Sequence, residues 1–180
     1  MNSEARLDER RVFYPDASVI MMKMKPKVYL ETSVISYLTA RPSRDIITAA
    51  HQQVTQEWWE TRRSSFDVFI SQIVVQEAGE GNEDAVKRRF EMIEAVPEIE
   101  VNPEAVALAQ ALVSEGLVPK KAGADALHIA IATVHGMDYL LTWNLKHIAN
   151  AILRNEIADG CRKRGYEPPI ICTPEELMEV

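Results

Sequence analysis

Three acidic residues are notable because each lies in an otherwise apolar stretch, where a predicted strand leads into a helix or a helix begins. They are Glu31, Glu77 and Asp125. Carboxylates are costly to bury unless something cationic neutralises them. If the three converge on one crevice, they form a hard, oxygen-lined site suited to Mg²⁺ or Mn²⁺. The pattern therefore indicates metal-assisted phosphodiester chemistry.

The elements that must position these residues alternate between strand and helix from Lys27 onward. Short apolar runs predict strands, and apolar residues at helical spacing predict the helices between them. The predicted strands are 28–30, 67–71, 99–101, 139–142 and 170–172, and the predicted helices are 34–38, 45–63, 74–78, 84–95, 103–113, 124–135 and 144–154, with a capped helix start at 173–176. Strands separated by helices indicate a three-layer α/β/α domain with a five-stranded parallel sheet.

The order of the strands decides whether the acidic residues can meet. In open parallel sheets, ligands bind beyond the carboxyl ends of the strands, at the point where the strand order reverses. Glu31 ends the first predicted strand and Asn144 follows the fourth. If these two strands are neighbours, both side chains reach the same crevice. Thr32 or Ser33 is expected to cap the helix that follows Glu31.

Bulk properties indicate an ordinary globular domain. The chain has 180 residues, a hydrophobic fraction of 47% and a formal net charge of −7. The negative charge argues against a general nucleic-acid coating protein, which is usually basic. Two cysteines suggest a reducing compartment rather than a disulfide scaffold, and no apolar run is long enough to span a membrane. We therefore expect a cytoplasmic protein.

Two segments are expected along the chain. Residues 1–23 are rich in charge and show no clear periodicity. We interpret them as an N-terminal extension that is either a disordered arm or the result of a misassigned start. Residues 24–180 are expected to form the α/β domain.

Four motifs in this order resemble the PIN-domain nucleases, in particular the VapC-like toxins of type II toxin–antitoxin pairs. The motifs are Tyr29–Ser36 (YLETSVIS), Ser71–Glu77 (SQIVVQE), Asp125–Ala130 (DALHIA) and Leu140–Asn144 (LLTWN). Each motif alone is weak, but four in order at domain-scale spacing are specific. The resemblance covers roughly residues 27–175 and implies a PIN-like fold.

The resemblance also implies a chemistry. Glu31, Glu77, Asp125 and Asn144 would form a site for one or two Mg²⁺ or Mn²⁺ ions, with Thr32 orienting a carboxylate or a phosphate oxygen. The metal would activate water for hydrolysis of RNA, which would leave a 5′-phosphate and a 3′-hydroxyl. The resemblance further implies an antitoxin protein as partner and a homodimer.

The motif departs from the family pattern in its first acid. The family usually has Asp where this chain has Glu31, which keeps the carboxylate but is one methylene longer. Asn144 can bind through its oxygen but adds no charge. These two features motivate an alternative function, a catalytically weak or inactive PIN-like module that binds other proteins. A nucleotide-binding or phosphatase domain is disfavoured because no Gly-rich loop follows the first strand.

Each candidate also has a purely structural interpretation. Glu31 could face solvent at a strand end, and Asp125 could simply favour the positive end of a helix. Thr32 and Asn144 could be capping or loop residues, and His128 is more often a packed helix residue than a catalyst. The basic runs at 120–121 and 162–164 could bind RNA phosphates, but such runs are more often solvated faces.

Overall fold

The computed structural model describes residues 24–178, so the interpretation of residues 1–23 lies outside the described part of the chain. The strands are β1 (Lys27–Leu30), β2 (Asp67–Ser71), β3 (Glu98–Ile99), β4 (Tyr139–Leu141) and β5 (Ile170–Cys172). The α-helices are α1 (Thr32–Thr39), α2 (Ile46–Thr61), α3 (Gln72–Ala78), α4 (Glu83–Ile93), α5 (Pro103–Ser114), α6 (Gly123–Val134) and α7 (Arg154–Arg162). Short 3₁₀ turns lie at Arg63–Ser65, Lys120–Ala122 and Glu175–Leu177.

The predicted five-stranded parallel sheet is confirmed. Its strand order is β3-β2-β1-β4-β5, and every neighbouring pair is parallel. Strand β1 is central, and Val28, Tyr29 and Leu30 are completely buried, as expected for a strand covered on both faces. The chain moves outward from β1 to β3 and then crosses to β4 on the other side. The strand order therefore reverses between β1 and β4.

Local sequence signals account for where α2 and α5 begin. Asp45 caps α2 by accepting a hydrogen bond from the Thr48 N–H at 2.8 Å, and Asn102 caps α5 by accepting one from the Ala105 N–H at 2.8 Å. Pro103 occupies the first turn of α5, where its missing N–H costs nothing. Within residues 24–178, no helix combines the length and apolar character needed to cross a membrane.

The predicted helix over 144–154 is wrong. Residues 145–153 form successive turns, and α7 begins only at Arg154. The asparagine side chains explain the difference, because they bond nearby backbone and compete with the helix. Asn144 Oδ1 accepts a hydrogen bond from the His147 N–H at 3.1 Å, and Asn150 Oδ1 accepts one from the Ile152 N–H at 3.0 Å.

Two other boundaries differ from the predictions. The third strand pairs at Glu98–Ile99 rather than over 99–101, since Asn102 already caps the following helix. At the C-terminal end, Thr173 and Glu176 form the reciprocal cap, with the Thr173 N–H donating to Glu176 Oε2 at 2.8 Å. The turn that they begin is 3₁₀, over Glu175–Leu177.

Candidate metal and active site

The reversal of strand order brings Glu31 and the segment after β4 together. The Glu31 N–H donates to the Leu141 carbonyl at 3.0 Å, which extends the β1–β4 pairing by one residue. Glu31 is itself the N-cap of α1, so the expectation that Thr32 or Ser33 caps this helix is wrong. Strand order thus places the first acid of the constellation at the topological switch point, where parallel sheets bind ligands.

Hydroxyl groups hold the Glu31 carboxylate, which is only 6% exposed. Oε1 accepts a hydrogen bond from the Ser33 N–H at 3.0 Å. Oε2 accepts one from the Thr142 hydroxyl at 2.6 Å and another from the Ser33 hydroxyl. These donors stabilise a buried negative charge without neutralising it.

Glu77 reaches the same crevice from the last turn of α3. Its Oε2 accepts hydrogen bonds from the Thr32 hydroxyl and from His128 Nε2, the latter at 3.1 Å. Burial raises the pKa of Glu77, but the bonds from His128 and Thr32 outweigh it and the net pKa lies below the usual value. Glu77 is therefore held as a carboxylate, with the Thr32 hydroxyl bonded to it.

His128 belongs to a buried chain of hydrogen bonds behind the site. The Tyr29 hydroxyl lies 2.7 Å from His128 Nδ1 and 2.7 Å from Ser71 Oγ. A carboxylate only accepts, so His128 Nε2 must carry the hydrogen that Glu77 receives. Burial raises the pKa of Tyr29, which keeps its phenol protonated. With a neutral imidazole, the hydrogen bonds all run in one direction. The Ser71 hydroxyl donates to the Tyr29 hydroxyl, which donates to His128 Nδ1, and His128 Nε2 donates to Glu77.

Asp125 and Asn144 form the other half of the site. Asp125 lies in the first turn of α6, and its Oδ1 accepts a hydrogen bond from Asn144 Nδ2 at 2.9 Å. The Asn144 N–H donates to Thr142 Oγ1 at 2.9 Å, which links this pair to the residues around Glu31. Burial is the main cause of a raised pKa for Asp125, with Glu31 and Glu77 adding repulsion and His147 opposing it.

Trp143 anchors the segment that carries Asn144. Its indole N–H donates to the Thr55 hydroxyl at 2.7 Å, and its ring stacks on His51 with centroids 4.0 Å apart. Its backbone N–H donates to Ser33 Oγ at 2.8 Å. The turn after β4 is thus fixed to α2 on one side and to the start of α1 on the other.

The donor set fits a divalent cation. Glu31, Glu77 and His128 each have a ligand-type atom within 4.8 Å of the others. Because His128 Nε2 donates to Glu77 and Nδ1 bonds Tyr29, the two carboxylates are the candidate ligands and His128 is a residue that positions Glu77. Asp125 lies outside that compact group but interacts with it electrostatically, since the charges of Glu31 and Glu77 raise the pKa of Asp125. Within residues 24–178, none of the ion pairs joins these carboxylates to a lysine or an arginine. The site therefore gathers negative charge that a cation can balance.

Some of these residues were not singled out from the sequence. Ser71, Thr142 and Tyr29 all contribute hydrogen bonds here, and all three are completely buried. A tyrosine in a fully apolar strand is one available signal, because a buried phenol needs a partner. The Thr142 hydroxyl had no comparable signal, since its role depends on which strand lies beside β4.

The comparisons with known proteins point to one fold. No protein-family model matches the sequence, and a comparison with curated proteins found no match. A chain in the crystal structure of VapBC2 from Rickettsia felis, bound to a DNA fragment from their promoter, is similar with a TM-score of 0.52 and 14% identity, over 82% of this chain and 98% of that chain. This chain has the VapC-like PIN fold.

A second solved structure supports the same assignment. VapC20 from Mycobacterium tuberculosis, described as a Sarcin-Ricin loop cleaving toxin, matches with a TM-score of 0.50 and 16% identity, over 69% of this chain and 95% of that chain. At these identities the likeness is one of fold. Function must therefore be argued from the site itself.

Proposed function

We propose that this chain is a metal-dependent endoribonuclease that acts as the toxin of a toxin–antitoxin pair. The observation that carries the proposal is the pair Glu31 and Glu77 at the switch point of the sheet, with no lysine or arginine ion pair among the described residues to balance them. Asn144 and Thr142 link Asp125 to this pair through hydrogen bonds. The VapC-like fold supports RNA as the substrate class and a small antitoxin as the partner. A homodimer and a cytoplasmic location remain predictions from the sequence.

The residues divide the work as follows. Glu31, Glu77 and Asp125 would hold the Mg²⁺ or Mn²⁺, with Asn144 supplying its side-chain oxygen or fixing Asp125. A bound divalent cation supplies a Lewis acid that polarises the scissile phosphate and activates water for attack. Thr32 and His128 both bond Oε2 of Glu77, so Oε1 remains available as far as the described contacts go. The expected products carry a 5′-phosphate and a 3′-hydroxyl.

The Glu31 side chain determines how this site differs from one built on Asp. Its extra methylene lets Oε2 reach the Thr142 hydroxyl beyond β4, while Oε1 still caps α1 through the Ser33 N–H. Ser33 and Thr142 therefore fix both oxygens of the longer side chain. These hydrogen bonds restrict the side chain and so offset the greater rotamer freedom that Glu has compared with Asp.

Cleavage of a mixed, structured RNA pool tests the proposal. Purified, antitoxin-free protein is incubated with Mg²⁺, with Mn²⁺ or with EDTA, beside Asp125→Asn. We expect cleavage that requires the ion and falls by roughly 100-fold or more in the variant, because ligand losses exceed the effect of losing an outer partner. A folded protein that cleaves no RNA with either ion would refute the nuclease.

One observation favours a second candidate, a PIN-like module that binds proteins without catalysis. Both Glu31 oxygens already accept hydrogen bonds, and His128 Nε2 is directed at Glu77 rather than outward. In that case the protein would bind Mn²⁺ weakly or not at all. Calorimetric titration separates the two functions, since tight Mn²⁺ binding that disappears in Asp125→Asn excludes the inert module.

A further inference from the structure

A cavity of about 470 Å³ beside the acidic site is lined by three arginines, Arg41, Arg88 and Arg89. It lies where α1 and α3 end and α4 begins. We call it the arginine cavity. One carboxylate, Asp84, also lines it, so the formal charges of its walls sum to positive in a chain whose formal net charge is −7.

Backbone carbonyls, rather than carboxylates, hold two of these arginines. Arg88 Nε donates to the Thr39 carbonyl at 2.8 Å. Arg89 Nε donates to the Ala78 carbonyl at 2.8 Å, and its terminal nitrogen donates to the Glu80 carbonyl. A carbonyl fixes the position of a guanidinium without cancelling its charge, so both forks are oriented and still cationic.

The third arginine is held differently. Arg41 lies 3.6 Å from Asp84, and both side chains are largely exposed. A pair of this kind contributes little to stability and exchanges readily with solvent. Asp84 therefore reduces the positive charge of the cavity, and its ion pair is with Arg41 rather than with Arg88 or Arg89.

One face of α1 connects the arginine cavity with the acidic site. Thr32, which bonds Glu77, is followed on that face by Ser36 and Thr39, both of which line the cavity. A rise of 1.5 Å per residue puts them about 6 Å and about 10 Å along the helix from Thr32. On α3, the carbonyl that holds Arg89 belongs to Ala78, the residue after Glu77. The two sites are thus neighbours on a polar surface.

We propose that the arginine cavity binds phosphate groups of the single-stranded RNA whose scissile bond lies at the acidic site. Guanidinium forks match phosphate oxygens in geometry and charge, and phosphate contacts position a strand without reading its sequence. An enzyme with this net charge needs a local positive surface to hold RNA next to three carboxylates. This inference rests on the proposed nuclease function, since RNA is its substrate.

Binding is measured apart from cleavage, with a fluorescently labelled single-stranded RNA in EDTA over a series of KCl concentrations. The variants are Arg41→Gln, Arg88→Gln and Arg89→Gln. The matched control is Arg162→Gln, which removes the same charge from a residue paired with Glu167. Each lost phosphate contact should make the slope of log affinity against log salt less negative by about 0.7. The control should leave the slope unchanged.

A variant that makes the cavity more positive guards against misreading a loss of fold as a loss of binding. Arg88→Gln and Arg89→Gln remove bonds to helix ends, so their melting temperatures are measured alongside. Asp84→Asn keeps the fold and frees Arg41, and we expect it to bind the RNA several-fold more tightly. In cleavage assays with Mn²⁺, the arginine variants should raise KM and leave kcat near the wild-type value, because they are distant from the reacting phosphate.

The outcomes separate this inference from the proposed function. If the wild type fails to cleave RNA but its affinity in EDTA depends on the three arginines, the cavity is supported and the nuclease is not. If the wild type cleaves and the arginine variants match Arg162→Gln in affinity, slope and KM, the cavity proposal is overturned. Lower melting temperatures with unchanged affinity would also overturn it, since Arg88 and Arg89 would then serve only as helix caps.

Discussion

The carboxylates of the acidic site and those around α7 have different kinds of partner. Around α7, arginines accompany the acids: Arg162 bonds Glu167 at 2.8 Å, and Arg164 bonds Glu115. Both arginines hold the pKa of their carboxylate partner below its usual value. At the acidic site, by contrast, hydroxyls, one imidazole and one amide surround the acids. There the pKa of Asp125 is raised, and that of Glu77 is lowered by His128 and Thr32 rather than by an arginine.

This difference shows where the fold leaves charge unbalanced. The charge of a surface carboxylate paired with an arginine is balanced within the chain. Glu31, Glu77 and Asp125 are instead held in place by hydroxyl, imidazole, amide and backbone N–H donors rather than by a lysine or arginine, at a cost that the rest of the fold must offset. Basic residues are available, since the chain has 20 lysines and arginines against 27 acids. Their exclusion from this crevice is what indicates a cation from solution.

The largest expected effect comes from Asp125→Asn, which should act in opposite directions on cleavage and stability. Cleavage should fall by roughly 100-fold or more. In EDTA at neutral pH the melting temperature should rise, because the variant removes a charge that burial and neighbouring carboxylates disfavour while its amide oxygen can still accept from Asn144. Scanning calorimetry beside Glu167→Gln measures this. A lower melting temperature for Asp125→Asn would contradict the comparison.

The pH dependence of stability sharpens the same contrast. Asp125 has a folded pKa above its unfolded one, so its contribution favours folding at low pH and is lost as pH rises through the raised pKa. Glu167 has a folded pKa below its unfolded one, so it stabilises the folded state above the unfolded pKa. This contribution is lost as the pH falls through the lowered folded pKa. In metal-free buffer, the stability of Asp125→Asn should therefore exceed that of the wild type by most at neutral pH and by least near pH ~4. A gain that grows towards acid would sink this account.

The next effect in size concerns His128, which is 1% exposed. His128→Ala removes one hydrogen bond from the Tyr29 phenol and one from Glu77, which keep their bonds to Ser71 and Thr32, and it opens a cavity. The free energy of unfolding should fall by about 3 kcal/mol. Cleavage should fall by roughly 10- to 100-fold, because Glu77 loses its orientation. Urea denaturation and single-turnover cleavage measure the two effects.

His128→Gln is the matched variant for that prediction. Its amide can donate to Glu77, so we expect part of the lost cleavage to return. Equal cleavage by His128→Ala and the wild type would show that the buried chain from Ser71 to Glu77 serves packing alone.

A smaller effect is expected from Trp143→Phe, which removes the indole bond to Thr55 but keeps an aromatic ring against His51. The free energy of unfolding should fall by about 1 kcal/mol. Cleavage should stay close to wild type, since the Trp143 backbone N–H still reaches Ser33. Chemical denaturation checks the first result, and a large loss of cleavage would mean that the indole itself positions Asn144.

The smallest effect is expected from Glu167→Gln at the surface near α7. Exposed ion pairs contribute little, because solvent screens them and ordering two long side chains costs entropy. We expect the melting temperature at neutral pH and the cleavage rate to match the wild type. A substantial change in either would mean that the α7 pairs are coupled to the acidic site, against the separation drawn above.

The sequence was sufficient for the sheet and for the positions of the acids. Short apolar runs identify five strands, and the alternation with helices predicts that they are parallel. That Glu31 and Asn144 lie near each other followed once β1 and β4 were assumed to be neighbours, and the strand order confirms that assumption. The boundaries were less certain where asparagine side chains compete with the backbone, as over residues 144–154.

The contacts inside the site could not be predicted. Local spacing placed His128 one turn after Asp125, yet the structure directs His128 at Glu77, which comes from another helix. The bond from Thr32 to Glu77 depends on how α1 and α3 pack, and the bond from Thr142 to Glu31 depends on which strand lies beside β1. Both join residues more than 40 positions apart in the chain. Capping rules assigned Thr32 or Ser33 to the helix start because Glu is not a favoured N-cap. The structure uses the longer acid there because it also reaches Thr142.

The most direct test of the central claim is calorimetric titration of the metal-free protein with Mn²⁺, beside Asp125→Asn and the surface control Glu167→Gln. The account predicts a saturable Mn²⁺ site in the wild type and in Glu167→Gln, with a matching rise in melting temperature, and loss of that site in Asp125→Asn. If the folded wild type binds no Mn²⁺, or if all three proteins bind it equally, the claim that these carboxylates form a cation site is contradicted.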